Sequence, residues 1–114
     1  LIPTPVSQIL SALDDKKGID ALVLDVRNLV TYTDYLIICS GSSTTHVRAL
    51  VSAVQDSSEE TMKVNSSSDD SWWVLDQVDI VIHLFREDVR LFYDLEGLWA
   101  DAVILKPGTK KQQP

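Results

Sequence analysis

The chain has 114 residues, 45% of them hydrophobic and 24% charged, with a formal net charge of −7. That length suits one domain, is too short for two, and buries an ordinary core without disulfides or metals. No apolar run approaches the roughly 20 residues of a membrane-spanning helix, no secretory signal is visible, and the single cysteine, Cys39, excludes an internal disulfide and a cysteine-based metal cluster.

A lone cysteine fits a reducing compartment, so the expected location is cytoplasmic. The chain begins at Leu1 and not Met, which leaves an organelle-targeted precursor open. The charge is uneven: between Asp56 and Asp101 twelve acids face only Lys63, Arg86 and Arg90. Such a field disfavours a phosphate backbone and favours a basic protein surface. Plain solubility would also account for it.

In chain order, Val6, Ile9, Leu10 and Leu13 recur at helical spacing, with Pro5 suited to a first turn. Gly18 supplies the expected helix stop. Ala21–Val26 predicts a strand, 27–33 a polar connection, and Tyr35–Ser40 a second strand, apolar on both faces and so central in a covered sheet. Gly41-Ser42-Ser43 breaks it, with Ser42 or Ser43 as helix cap. Val47, Leu50, Val51 and Val54 then mark a second amphipathic helix.

From Asp56 to Ser71 the pattern predicts a loop, with one short strand around Met62–Val64. Trp72–Asp76 and Asp79–Phe85 form a tight hairpin across Gln77 and Val78. The second of these strands places Ile80, Ile82 and Leu84 on one face and Val81, His83 and Phe85 on the other. Glu87 or Asp88 starts a last helix with a stripe of Leu91, Leu95, Leu98 and Ala102. The expected organisation is one domain over 1–105 and a frayed tail over 106–114. The fold class is α/β, a mixed β-sheet with flanking helices.

The residues offer little catalytic chemistry. His46 and His83 lie on different elements without a second His or Cys at ligand spacing. His46 is expected as an exposed capping-turn residue, and His83 as a packed, hydrogen-bonded one. No nucleophile elbow surrounds Cys39 or the serines of 41–43. Gly41-Ser42 between a strand and a helix is reminiscent of nucleotidyl transfer, which needs two nearby metal-binding carboxylates on one strand. Asp56 has no such partner, and Asp25 and Asp34 precede the motif and are far apart in sequence. The expectation is no enzyme, no metal and no cofactor. What remains is a set of aromatics and acids around Trp72, Asp76, Asp79, Arg90, Tyr93, Glu96 and Trp99, whose types fit an interface as well as a core.

Two stretches carry a resemblance. Thr33 through Ser43, then His46-Val47-Arg48-Ala49, is similar to the front half of the ribosomal silencing factor (Iojap-like) family. Trp72 through Asp76, Asp79 through Phe85, and Arg90 through Trp99 resemble that family's hairpin and closing helix. The similarity runs from about Val6 to Asp101. It implies a nucleotidyltransferase-like fold lacking the catalytic carboxylates. It also implies binding to the large-subunit ribosomal protein L-fourteen, which blocks joining of the small subunit and represses translation under nutrient limitation. Large-subunit assembly through the same contact is the alternative seen in organellar relatives, and homodimers occur in the family. No nucleic-acid recognition and no membrane is implied. By position, the partner contacts implied are Trp72, Asp76, Asp79, Tyr93, Glu96 and Trp99, with Asp34, His83 and Arg90 in support.

The chain departs from that pattern in three places. Val78 stands where the family usually has a turn glycine, so either the turn differs or it is strained. Trp73 replaces an aliphatic residue. The stretch 57–71 is short, with the Ser66–Asp70 run in place of a glycine–glutamate–glycine loop.

Overall fold

The computed structural model describes residues 2–93 and 102–106, without the side chains of 91–93 and 106. The elements are α1 (Thr4–Asp15), β1 (Ile19–Asp25), β2 (Tyr35–Gly41), α2 (Thr44–Asp56), β3 (Lys63–Ser66), β4 (Trp72–Asp76), β5 (Ile80–Arg86), α3 (Glu87–Tyr93) and β6 (Val103–Lys106). The six strands form one sheet in the order β3-β4-β5-β2-β1-β6. Only β2 and β5 run parallel; the other neighbours are antiparallel. The α/β class with a mixed sheet is as the sequence predicts.

Strand alternation sorts the core into two layers. On one face, Val23, Ile37, Cys39, Leu75, Ile82 and Leu84 meet the buried stripes of α1 (Val6, Ile9, Leu13) and α2 (Val47, Leu50, Val51, Val54). On the other, Leu22, Leu24, Leu36, Ile38, Val81 and Phe85 form a second cluster, with Trp72, Val74, Val89 and Ala102 against it. The central strand β2 is buried from Leu36 to Gly41. Its apolarity on both faces thus reports its position in the sheet.

Three local solutions differ from the sequence pattern. The stop of α1 is made by Lys17, in the left-handed region at φ 59. Its N–H donates to Asp14 O at 2.9 Å, and the Gly18 N–H donates to Leu13 O at 2.7 Å, the paired bonds of a Schellman ending. Gly18 has no positive φ; it is needed for clearance, because a Cβ there would stand 2.7 Å from Cys39 Sγ. The short strand expected near Met62–Val64 is β3, one residue later at its start and reaching Ser66. Ala102, expected within the last helical stripe, precedes an edge strand, and the run Val103–Lys106 pairs with β1 through Asp25↔Val103 and Leu24↔Ile104. A short β-branched run beside an open strand edge gains ladder hydrogen bonds that a helix end would not supply. The tail expected from 106 therefore begins with a paired residue, Val23↔Lys106; 107–114 lie outside the described residues.

Candidate partner-binding surface

The register of β3, β4 and β5 decides which hairpin side chains share a face. Trp72, Val74 and Asp76 pair with Phe85, His83 and Val81. Val74 and Asp76 also pair with Asn65 and Lys63 of β3. All of these lie on the sheet face opposite α1 and α2. Towards the sheet centre this face is closed, since Val81, Phe85, Leu36 and Ile38 are buried. Along β4 it opens: Trp72, Val74 and His83 are half-buried, and Asp76, Lys63 and Asn65 are exposed. The result is a strip with an aromatic end and an acidic end.

At the aromatic end the Trp72 ring lies on Phe85, centroids 4.9 Å apart. Its Nε1 donates to His83 Nδ1 at 3.1 Å, which places the neutral imidazole proton on Nε2. Burial lowers the His83 pKa to about 4. His83 is thus the packed, hydrogen-bonded histidine expected, and it supports Trp72 from below.

The Ser-rich segment that by pattern reads as loop is built by its own side chains. Asp69 Oδ1 accepts from Ser71 Oγ at 2.7 Å, Ser67 Oγ at 2.9 Å and Ser71 N at 3.1 Å. These bonds, from Ser71 first, lower the Asp69 pKa to about 2. Asp70, left-handed at φ 59, accepts from Arg48 of α2 at 2.8 Å and from Ser66 Oγ at 3.0 Å. The segment then holds both tryptophans: Trp72 N–H donates to Ser67 Oγ at 3.2 Å, and Trp73 Nε1 donates to Asp70 O at 3.0 Å. Trp73 is housed against the helical core, on the opposite face from Trp72. Between this segment and α3 a groove of about 470 Å³ has Trp72 and Val89 in its wall and Asp69 and Asp88 at its rim.

The acidic end contains the β4–β5 turn. Three residues, Gln77, Val78 and Asp79, connect the strands, one more than the two expected. Val78 has φ 73, and Asp79 N–H donates to Gln77 O at 2.9 Å. An i to i+2 bond around a positive-φ residue marks the rare, strained form of γ-turn. For a β-branched residue this costs about 1–3 kcal/mol. The turn therefore both differs from a two-residue primed turn and is strained. Asp76 Oδ1 steadies it by accepting from Val78 N at 2.9 Å. Asp79 O accepts from the backbone N–H of both Asp34 and Tyr35 at 3.0 Å, which ties the β1–β2 connection to the turn. Asp34, Asp76 and Asp79 are thereby gathered at one end of the sheet, all exposed.

Arg90 belongs inside the fold. It is 6% exposed; its Nη1 donates to Asp20 O at 2.8 Å and Ser40 Oγ at 3.0 Å, and Nη2 lies 3.8 Å from Asp20 Oδ2. Asp20 stands at φ 56 where β1 is bulged, so the guanidinium secures the bulge and seats the start of α3 on β1 and β2. His46 is half-buried and not simply exposed as expected. Its Nδ1 accepts from Ser42 N at 2.9 Å, its Nε2 meets Lys16 O at 2.8 Å, and Ser43 is the cap, accepting from His46 N. The Tyr93 side chain, Glu96 and Trp99 lie outside the described residues.

The sequence did not single out three residues on this strip or at its acidic end. Val74 extends the half-buried strip, and Tyr32 and Leu29, 61% and 44% exposed, lie in the connection held to the turn. The i, i+2 spacing from Trp72 signals Val74; an apolar residue in a short polar connection is a weaker signal. Among the described residues no three His, Cys, Asp or Glu side chains cluster as metal ligands. No described helix is long and apolar enough to cross a membrane.

A family model for the ribosomal silencing factor during starvation, RsfS, matches residues 2–114. The chain belongs to the RsfS family. Ribosomal silencing factor RsfS of Bacillus subtilis is 38% identical over 96 residues, 81% of this chain and 81% of that protein. The mouse protein named for mitochondrial assembly of the ribosomal large subunit is 32% identical over 82% of this chain and 44% of its own length. A crystal structure from Chromobacterium violaceum superposes with a TM-score of 0.78 at 25% identity, covering 96% of each chain. The family is named for a regulatory role, not a catalytic one.

Proposed function

We propose that this protein binds the large ribosomal subunit through ribosomal protein L-fourteen, blocks joining of the small subunit, and so represses translation under nutrient limitation. The observation that carries the reading is the strip along β4. A half-buried tryptophan, fixed by His83 and the Ser67 hydroxyl, lies on the same face as an exposed carboxylate, Asp76, with Asp79 just beyond. A rigid aromatic anchor beside exposed acids suits a basic, partly apolar protein surface. The contacts proposed are Trp72, Asp76 and Asp79, with Tyr93, Glu96 and Trp99 extending them by position in the sequence. Asp34 adds charge, while His83 and Arg90 act by holding the fold.

Calorimetric titration of isolated ribosomal protein L-fourteen tests this. Saturable one-to-one binding, weakened at least tenfold by Asp79→Lys, an exposed side chain outside the bonds of the turn, without a change in melting temperature, supports the reading. No binding by the unaltered chain ends it. The name of the mouse relative favours a second reading, assembly of the large subunit through the same contact. Under it the protein binds the subunit without lowering the yield of joined ribosomes.

A further inference from the structure

Two unfavourable features occur at adjacent residues of the β4–β5 turn. Val78 is held at φ 73 while 74% exposed, so no packing compensates its backbone strain. Next to it Gln77 is only 6% exposed, and its Oε1 is buried without a hydrogen-bond partner among the described residues. Strained and unsatisfied groups persist where a function retains them. The same end of the sheet carries exposed Tyr32 and Leu29, fastened to the turn through Asp34 N and Tyr35 N on Asp79 O. Asp34 and Asp79 are exposed there, and neither carboxylate is ion-paired among the described residues.

We infer that this sheet end is an extension of the docking surface, in which Val78, Tyr32 and Leu29 seat on an apolar recess of a basic protein surface while Asp34 and Asp79 meet the cations around it. The inference rests on the ribosomal reading above and adds contacts particular to this chain, because Val78 stands where the family usually has a turn glycine. Charge complementarity selects the occupant: the chain has a net charge of −7, with twelve acids against three bases between Asp56 and Asp101. A bare phosphate backbone is repelled by such a surface, and a cationic protein is attracted. The strained turn thrusts a β-branched side chain into solvent, where a glycine would relieve the backbone and present nothing to a partner.

The test uses the full chain and purified large ribosomal subunits, with affinity read by co-sedimentation across a salt series. Val78→Gly and Val78→Asn relax a positive φ, so both variants are expected to melt no lower than the parent. Both are expected to bind five- to twentyfold more weakly, as is Tyr32→Ser. Asp34→Asn with Asp79→Asn is expected to flatten the salt dependence. A merely structural turn would give unchanged or tighter binding as stability rises. Binding within twofold of the parent for Val78→Asn and Tyr32→Ser would overturn the inference while leaving the strip around Trp72 intact. Failure of the parent chain itself to bind would remove the functional reading and this extension together.

Discussion

Trp72 and His83 form one unit: the indole Nε1 donates to the imidazole Nδ1 at 3.1 Å, across the β4–β5 pair and on the face away from α1 and α2. The bond needs a neutral acceptor nitrogen on His83, so the anchor of the candidate surface depends on that ring staying unprotonated.

A pH dependence follows. In the unfolded chain His83 titrates near 6.5, and burial lowers it to about 4 in the fold. Between those values the unfolded state binds more protons, so this stabilisation is present above pH 6.5 and is lost as pH falls through 4. The two-and-a-half-unit gap corresponds to about 3 kcal/mol at most. Urea unfolding at pH 7 and pH 4.5 should show His83→Gln losing about 2 kcal/mol less than the parent between the two conditions. An equal loss would show that His83 is not the group responsible.

Trp72→Ala should cost stability as well as binding, because the ring packs at a tilt against Phe85 and covers the second core cluster. For a half-buried ring the expected loss is about 2–3 kcal/mol, below the range for a fully enclosed one. Asp79→Lys alters an exposed side chain and leaves the backbone bonds of the turn in place, so it should change the unfolding midpoint little, and the pair separates anchoring from steering.

The end of α1 offers a paired test. Lys17→Gly should stabilise by about 0.5–1 kcal/mol, because Lys17 occupies the left-handed position that glycine takes without strain. Gly18→Ala should destabilise by about 1–3 kcal/mol, because its Cβ would press on Cys39 Sγ at 2.7 Å and Leu13 O at 3.0 Å. Thermal melts of the two single variants suffice, and shifts in the same direction would contradict the assignment.

Arg90→Met should be among the costlier changes, about 3 kcal/mol, since it leaves the Asp20 carboxylate and the Ser40 hydroxyl without the guanidinium between them. Chemical denaturation measures it. A neutral result would mean that the bulge at Asp20 holds α3 without Arg90.

Much of the fold is legible because burial imposes period: Ile80, Ile82 and Leu84 against Val81, His83 and Phe85 name both faces of β5, and the stripe from Val47 to Val54 names α2. The left-handed residues Asp20 and Asp70 are not legible, because side-chain and tertiary bonds hold them where composition would favour glycine, and Lys17 is set by the local backbone bonds of the helix end. The 66–71 segment has no hydrophobic pattern, yet it is ordered by hydroxyl and carboxylate bonds that leave no periodic trace. Strand β6 is too short to declare itself and forms on the edge that β1 offers. Of the candidate site, Trp72 and Asp76 share a face because their spacing is even. That Asp34 joins them depends on the Asp79 carbonyl, which only the tertiary fold brings within reach.

The central claim is that this protein holds the large subunit apart from the small one, and sucrose-gradient sedimentation of purified subunits, with and without the protein, tests it most directly. The account predicts that the protein travels with the large-subunit peak and that the joined-ribosome peak shrinks as its concentration rises. A protein that stays at the top of the gradient at low salt, with the joined peak unchanged, would contradict it.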